Sequence, residues 1–243
     1  MTDAAGGDAV GRRVRENVQG VRQRIAAACE LAGRSPADVR LIAVTKYVDA
    51  AVARHVAAAG CRDLAESRPQ RLADMAVALG DVRPPIRWHL VGHLQRNKVR
   101  KALPFVAMIH TLDSQRLLQA IEADAAAVGM ACEVLVEVNV TDDPGRSGAV
   151  EADVPALVAA AARSPHVRLR GLMGMAARPD DPAADARRDF ARLRGLRDRL
   201  AGDVPAGMLG ELSMGMSGDL EAAILEGSTM VRVGSALFEG LIA

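Results

Sequence analysis

The chain has 243 residues, of which 50% are hydrophobic and 25% are charged, a balance typical of a soluble globular protein. Its 31 basic and 30 acidic residues give a formal net charge of +1. That balance disfavours nucleic acid as a partner, because a general polyanion binder needs a basic excess. No apolar run approaches the ~18 residues that span a bilayer, and residues 1–17 lack the apolar core of a signal peptide. We therefore expect a cytoplasmic protein that binds neither nucleic acid nor membranes.

The three cysteines, Cys29, Cys61 and Cys132, lie far apart in the sequence. A sparse, odd set of this kind predicts neither a disulfide framework nor a CxxC metal site. We expect buried free thiols in a reducing compartment.

Apolar runs of strand length recur along the chain, and most are continuous rather than alternating. Continuous runs are typical of parallel strands that are buried on both faces. The predicted strands are 40–46, 61–67, 86–92, 105–112, 132–140, 167–175, 211–215 and 229–234.

Segments with helical spacing separate these strands, and Asp49, Ser114 and Ser217 are expected to cap three of them. Strand–helix alternation predicts an α/β protein, and eight units in this length favour a (β/α)8 barrel. The rival doubly wound sheet loses support because GxGxxG and GxxxxGK[ST] are absent from the sequence. The predicted helices are 49–59, 68–79, 94–103, 114–128, 151–163, 183–201 and 217–226, with an additional N-terminal helix over about 10–32.

We predict one domain over 10–243, preceded by a flexible N-terminus over 1–9. The segment 176–186, AARPDDPAADA, is expected to form an exposed loop within that domain.

Lys46 is a candidate reactive residue, since the chain contains only two other lysines, Lys98 and Lys101. It ends the first predicted strand, and barrel sites lie at the carboxyl ends of the strands. Apolar neighbours would deprive the ammonium of hydration and favour the neutral amine, which attacks aldehydes to give a Schiff base. The alternative is a lysine that extends from the strand end into solvent.

Two loops of small residues follow the last two predicted strands, at 213–219 and 231–235. Small residues allow the backbone to approach a ligand closely, and the loops after strands 7 and 8 form the usual phosphate site of these barrels. Ordinary turn and cap chemistry is the alternative explanation. A reactive lysine combined with a phosphate site predicts a phosphorylated aldehyde cofactor, pyridoxal 5′-phosphate (PLP).

Five segments, at 41–46, 88–98, 138–148, 168–173 and 212–240, resemble the pyridoxal phosphate homeostasis protein family, which is related to the N-terminal barrel of alanine racemase. The resemblance implies a single TIM barrel of the PLP-binding fold type III. It also implies that Lys46 forms the internal aldimine with PLP and that Arg232 faces the pyridine nitrogen. The remaining cofactor-binding residues that it implies are Ser217, Gly234 and Ser235 at the phosphate, Met216 and Ser213 nearby, and Ser67.

The sequence departs from the family pattern at two places. Ala65 and Ser67 stand where the family usually has glycine and asparagine, and His93 stands where it often has proline. Ser67 is therefore a weaker candidate for the contact that the asparagine makes.

Other motifs carry less weight. His89 and His93 have HxxxH spacing, but a strand and Gly92 intervene, so we expect structural or rim roles and no metal site. GMSGD lacks the final glycine of the GxSxG motif of serine hydrolases. QRNKVRK is expected to be a solvated helix face, with a weak anion or RNA contact as the alternative.

Two main classes of function remain open, and a third, weaker one is an interaction protein whose cofactor reports metabolic state to a partner. The first is a PLP carrier and buffer that takes part in intracellular PLP homeostasis, is expected to be a monomer and delivers its cofactor to apo-enzymes. The second is a PLP-dependent amino-acid racemase, in which Lys46 would act as one catalytic base. Racemisation needs a second base on the other substrate face, and the only tyrosine, Tyr47, is expected to point away from Lys46 in an extended backbone. We therefore favour the carrier and expect no robust catalysis.

Overall fold

Eight parallel strands close into a barrel in chain order, which confirms the predicted (β/α)8 architecture. This computed structural model describes residues 3–177 and 185–241, so most of the predicted loop over 176–186 lies outside the described residues. The strands are β1 (Arg40–Val44), β2 (Asp63–Glu66), β3 (Arg87–Leu90), β4 (Val106–Leu112), β5 (Cys132–Val138), β6 (Val167–Gly174), β7 (Glu211–Ser213) and β8 (Met230–Val233).

Helices follow the strands at the predicted places, although the predicted helix over 94–103 is a 3-10 turn and one short α-helix. The helices are α1 (Asp3–Leu31), α2 (Ala50–Ala58), α3 (Pro69–Ala78), α4 (Val99–Ala102), α5 (Gln115–Ala127), α6 (Val154–Arg163), α7 (Ala186–Leu200) and α8 (Leu220–Leu225). None of those within the described residues is both long and apolar enough to cross a membrane.

The additional N-terminal helix is present, and it begins at Asp3, inside the segment 1–9 that was expected to be flexible. Residues 1, 2, 242 and 243 lie outside the described part of the chain, and the domain limits stay a prediction. The buried face of α1 repeats at helical spacing, which packs this helix against α2 and α8. The residues of that face are Val14, Val18, Val21, Ile25 and Ala28.

Side-chain capping was predicted correctly at two of three helix starts. Asp49 accepts from the N–H of Val52 at 3.0 Å, and Ser114 accepts from Leu117 at 3.3 Å. The prediction for Ser217 is wrong, because α8 begins after Asp219 and the Ser217 hydroxyl bonds elsewhere.

The hydrophobic core has two layers, since successive side chains of a strand point to opposite faces. One layer lies between the sheet and the helices. The other fills the barrel interior with Ile42, Val44, Ala65, Met108, Leu135, Met173 and Met230. All three cysteines are buried free thiols, as expected.

Candidate functional site

Lys46 lies at the carboxyl end of the barrel, two residues beyond Val44, whose side chain points into the barrel interior. The backbone leaves the strand here and forms a turn. Lys46 is exposed, so the prediction that apolar neighbours surround its amine is wrong. The alternative, a lysine that extends from the strand end into solvent, describes this side chain better.

The expectation that Tyr47 points away from Lys46 is also wrong. Lys46 Nζ lies 4.7 Å from the centroid of the Tyr47 ring, a cation–π contact. The physical reason is the turn, because the alternation of side chains holds only in extended backbone. Tyr47 therefore lies on the same side as the amine.

A polar network braces the turn that carries Lys46. Thr45 Oγ1 donates to Glu66 Oε1 at 2.7 Å, and Arg71 Nε donates to Glu66 Oε2 at 3.1 Å. Arg71 also donates to the carbonyl of Val48. Burial raises the pKa of Glu66, while the bond from Thr45 and the charges of Arg71 and Lys46 oppose this effect. Sequence reasoning missed this network.

The two small-residue loops meet beside the end of β1. The N–H of Ala236 donates to Ser217 Oγ at 3.3 Å, which joins the loop after β8 to the loop after β7. A Cβ on Gly234 would lie 3.4 Å from the carbonyl oxygen of Val44. A Cβ on Gly215 would lie 2.5 Å from Ala223 Cβ, and its φ of +93° also favours glycine. Glycine at both positions therefore allows close packing of the loops.

Helix α1 holds the first of these loops from outside. Arg24 Nη2 donates to the carbonyl of Ser217 at 2.9 Å, and its Nε lies 2.6 Å from Glu221 Oε1. Met216 is exposed at the same loop, and its N–H donates to Asp219 Oδ1 at 2.5 Å. Sequence reasoning missed Arg24, which lies 193 residues from Ser217.

Arg232 is a buried cation whose direct partners are both neutral. Its Nη1 donates to Ser213 Oγ at 2.7 Å and its Nη2 to the carbonyl of Gly174 at 3.1 Å. Burial lowers the pKa of the guanidinium to about 10, against the opposing charges of Asp219 and Glu137. Arg232 is therefore charged at neutral pH, and these two bonds use two of its five N–H donors.

A chain of buried side chains extends from Ser213 through the barrel interior. Ser213 Oγ lies 2.9 Å from His110 Nδ1, and His110 Nε2 lies 2.9 Å from His89 Nδ1. His89 Nε2 lies 2.9 Å from Asp63 Oδ1 at the amino-terminal end of the barrel. His110 was missed, although it is a polar residue within the apolar run FVAMIHTL.

The two departures from the family pattern lie near the mouth. Ala65 is buried in the barrel interior. Ser67 follows β2 and lies against Gly92, where a Cβ would come within 2.2 Å of the Ser67 carbonyl oxygen. His93 is at the rim, with its Nδ1 3.4 Å from Asp113 Oδ2 and its side chain 65% exposed. His89 is fully buried, so the two rings of the HxxxH motif lie in different environments.

The structure brings the predicted site residues to one end of the barrel. Their role in binding a cofactor stays a prediction. Within 3–177 and 185–241, no three histidine, cysteine or acidic side chains are grouped so that they could hold a metal ion. The residues at this end are Lys46, Ser67, Ser213, Met216, Ser217, Arg232, Gly234 and Ser235.

Known proteins match this chain over almost its whole length. The family model of the alanine racemase N-terminal domain matches residues 13–241. The pyridoxal phosphate homeostasis protein of Pseudomonas aeruginosa is 39% identical over 225 residues, 93% of this chain and 94% of that protein. The chain belongs to the pyridoxal phosphate homeostasis protein family. The resemblance seen in the sequence is therefore confirmed.

Two further relatives agree with this assignment. The pyridoxal phosphate homeostasis protein of Aquifex aeolicus is 36% identical over 223 residues, 92% of this chain and 96% of that protein. PipY of Synechococcus elongatus, solved with PLP bound, has a TM-score of 0.77 and 36% identity. That match covers 90% of this chain and 99% of PipY.

Proposed function

We propose that this protein binds PLP at the carboxyl end of the barrel and acts as a PLP carrier and buffer. The observation that carries the proposal is the convergence of three groups at one mouth: the Lys46 amine, the buried Arg232 and the joined loops at Ser217 and Gly234. PipY, a relative solved with PLP bound, supports the choice of cofactor.

The side chains present fit the chemical groups of PLP. When bound, PLP supplies an aldehyde that condenses with an amine with loss of one water. Lys46 offers the amine, and its exposure leaves it open to the cofactor. Ser217 and Ser235 offer hydroxyl groups for the phosphate, while Gly234 allows its close approach. Met216 and Ser67 lie at the edge of this site.

Arg232 would determine whether the ring nitrogen of a bound cofactor is protonated. A guanidinium donates hydrogen bonds and does not give up its proton at neutral pH. Arg232 would therefore hold a bound pyridine ring through a nitrogen that it does not protonate, and such a ring would withdraw electrons less than one paired with a carboxylate. The site thus suits retention of the cofactor better than transamination or decarboxylation.

The carrier role follows from retention without efficient chemistry. We infer that the protein works as a monomer in the cytoplasm and passes PLP to apo-enzymes. Three free buried thiols support a reducing compartment. The exposed Lys46 supports release, because water and competing amines reach a bond at the mouth more easily than one in the interior.

An absorption titration with PLP tests the binding site. Wild-type protein is expected to develop the band of lysine-bound cofactor, and Lys46→Ala is expected to lose it. The chain offers a matched control, because Lys98→Ala and Lys101→Ala remove its two other lysines. If both controls lose the band and Lys46→Ala keeps it, the proposed site is wrong.

Assays of the loaded protein separate the carrier from the racemase. We expect transfer of PLP to a transaminase stripped of its cofactor, and no sustained production of D-amino acids. Tyr47 shares the side of Lys46, so it does not supply a base on the opposite face of a substrate. Sustained racemisation that disappears in Lys46→Ala would overturn the carrier assignment.

A further inference from the structure

We propose that His110 and His89 are positioning residues for Arg232: with Asp63 they direct the hydroxyl proton of Ser213 toward His110, so that Ser213 accepts from Arg232 in one fixed orientation. The direction of these hydrogen bonds is a property of the protein alone. Its consequence for the cofactor ring rests on the proposed function.

The interior chain is continuous and well enclosed. His89, His110 and Ser213 are fully buried, and the two imidazole rings meet edge to face, with centroids 5.1 Å apart and an interplanar angle of 75°. Asp63 is 15% exposed and borders a groove of about 450 Å³ at the amino-terminal end of the barrel. The chain therefore connects that end to Arg232 at the mouth.

Asp63 and Arg232, at the two ends of this row of hydrogen bonds, set the direction in which its protons are donated. Arg232 only donates, so Ser213 Oγ accepts from it. Asp63 Oδ1 lies 2.9 Å from His89 Nε2 and 3.7 Å from Arg87 Nη1, and its pKa is lowered despite burial, with the hydrogen bond from His89 as the largest lowering effect. Asp63 is therefore a carboxylate that only accepts, and His89 Nε2 carries a proton.

Between these two ends, only one placement of the protons on His89 and His110 is consistent. Burial lowers the pKa of His89 and takes that of His110 well below its usual value, so each ring is neutral with a single N–H. His89 Nδ1 must accept from His110 Nε2–H, and His110 Nδ1 must accept the hydroxyl proton of Ser213. The charged and titratable groups that face the two rings are Asp63, His110, Arg87 and Arg40 for His89, and His89, Arg232 and Arg40 for His110.

This arrangement matters for Arg232 because its direct partners are neutral. A reversed chain would place the His110 proton toward Ser213, whose hydroxyl proton would then be free to point elsewhere. In the assigned direction the hydroxyl proton is engaged, and a lone pair remains for the guanidinium. Arg232 is thus held charged and oriented before any ligand arrives, which is preorganisation of a donor.

Nitrogen NMR of the cofactor-free protein tests the direction of the chain. With ¹⁵N-labelled histidine, His89 and His110 are both expected to be neutral and protonated at Nε2 at neutral pH. Asp63→Asn replaces an obligate acceptor by a group that also donates, so a population with the reversed tautomers is expected. Asp38→Asn is the matched control, because Asp38 lies just before β1 at the same end and accepts from the N–H of Ser35 instead. Protonation at Nδ1 in the wild type, or unchanged tautomers in Asp63→Asn, would overturn the assignment.

A pair of His110 variants tests the positioning role with PLP as the probe. Glutamine can accept from Ser213 and donate to His89, whereas phenylalanine fills the space and does neither. His110→Phe is expected to bind PLP roughly threefold to tenfold more weakly and to shift the pH midpoint of the cofactor absorption. His110→Gln is expected to restore both readouts. Equal behaviour of the two variants, or wild-type behaviour of His110→Phe, would contradict the proposal.

The NMR experiment and the PLP-binding experiment test the direction of the hydrogen bonds and the proposed function separately. If the wild type binds no PLP, the proposed function fails, while the tautomers of the cofactor-free protein still decide the direction of the chain. If His110→Phe does not fold, the wild-type and Asp63→Asn spectra carry the decision.

Discussion

Lys46 and Arg232 are the two cations that define the mouth, and their environments differ in the way that a carrier needs. Arg232 is buried, and the free-energy cost of its desolvation is incurred when the chain folds rather than when the ligand binds. Lys46 is exposed, so formation and hydrolysis of its bond to an aldehyde require no opening of the barrel. A fixed donor and an accessible amine together allow retention and release.

Gly92 gives a prediction at the level of one residue. A Cβ there would lie 2.2 Å from the carbonyl oxygen of Ser67, and backbone atoms cannot yield as a flexible side chain does. Gly92→Ala should reduce the free energy of unfolding by roughly 1–3 kcal/mol, as overpacking does, and should displace Ser67. Urea denaturation measures the loss, and Gly202→Ala, where nothing lies within 4 Å, is the control. Equal stability of the two variants would contradict the close contact.

Some site residues could be predicted from the sequence, whereas several of their contacts could not. Lys46 and the small-residue loops were found because strand ends and small-residue runs are visible in the sequence, whereas Arg232 was identified through the family resemblance. The hydrogen bond between Ser213 and His110 joins residues 103 positions apart, and no local pattern reveals such a contact. Tyr47 was misplaced because one turn replaced the expected extended backbone.

At the level of elements, α1 both packs against the barrel helices and supports a loop of the proposed site. It packs against α2 and α8, and Arg24 connects it to the loop that offers Ser217. Most strands were predictable because buried parallel strands are continuous apolar runs. The short α4 was overestimated, since helical spacing does not distinguish a 3-10 turn from an α-helix.

Arg24 gives a prediction at the level of this element. Arg24→Ala should lower the affinity for PLP several-fold, because the Ser217 loop loses its outer hydrogen bond. The free energy of unfolding should fall by at most about 1 kcal/mol, since both side chains of the ion pair with Glu221 are partly exposed. Equilibrium binding and thermal unfolding measure the two effects.

The same helix supplies the control for Arg24. Arg22 donates to the carbonyls of Ala59 and Gly60, away from the mouth. Arg22→Ala should therefore leave the affinity for PLP unchanged. If the two arginine variants bind PLP equally well, α1 does not support the loop.

At the level of the whole molecule, the barrel interior combines an apolar layer with a polar chain that links its two ends. Eight units in 243 residues were enough to predict the barrel from the sequence. The polar chain became visible only when closure brought β2, β3, β4 and β7 together. Closure of the barrel brings His89 of β3 and His110 of β4 into one row of hydrogen bonds.

The buried histidines predict how global stability depends on pH. Burial lowers the pKa of His89 and His110 below the usual 6.5, so below that pH the unfolded state binds more protons than the folded state. Stability should therefore fall as the pH falls through 6.5 toward the folded pKa values, by at most about 1.4 kcal/mol per histidine between about pH 7.5 and 5.5.

Urea unfolding of wild type and His110→Gln at the two pH values checks this prediction. The variant lacks one titrating ring, so its loss of stability on acidification should be smaller by about 1 kcal/mol. The comparison cancels the opposing effect of Glu66 and Glu137, whose pKa values burial raises. Identical losses in both proteins would show that His110 does not titrate as a buried neutral group.

The most direct test of the proposed site is to locate the residue to which PLP becomes attached. The wild-type protein would be saturated with PLP, reduced with borohydride and digested, and the labelled peptide identified by mass spectrometry. The site described here predicts label on the peptide that contains Lys46, and no stoichiometric label on peptides that contain Lys98 or Lys101. Label on either of those lysines, or no label at saturating PLP, would contradict it.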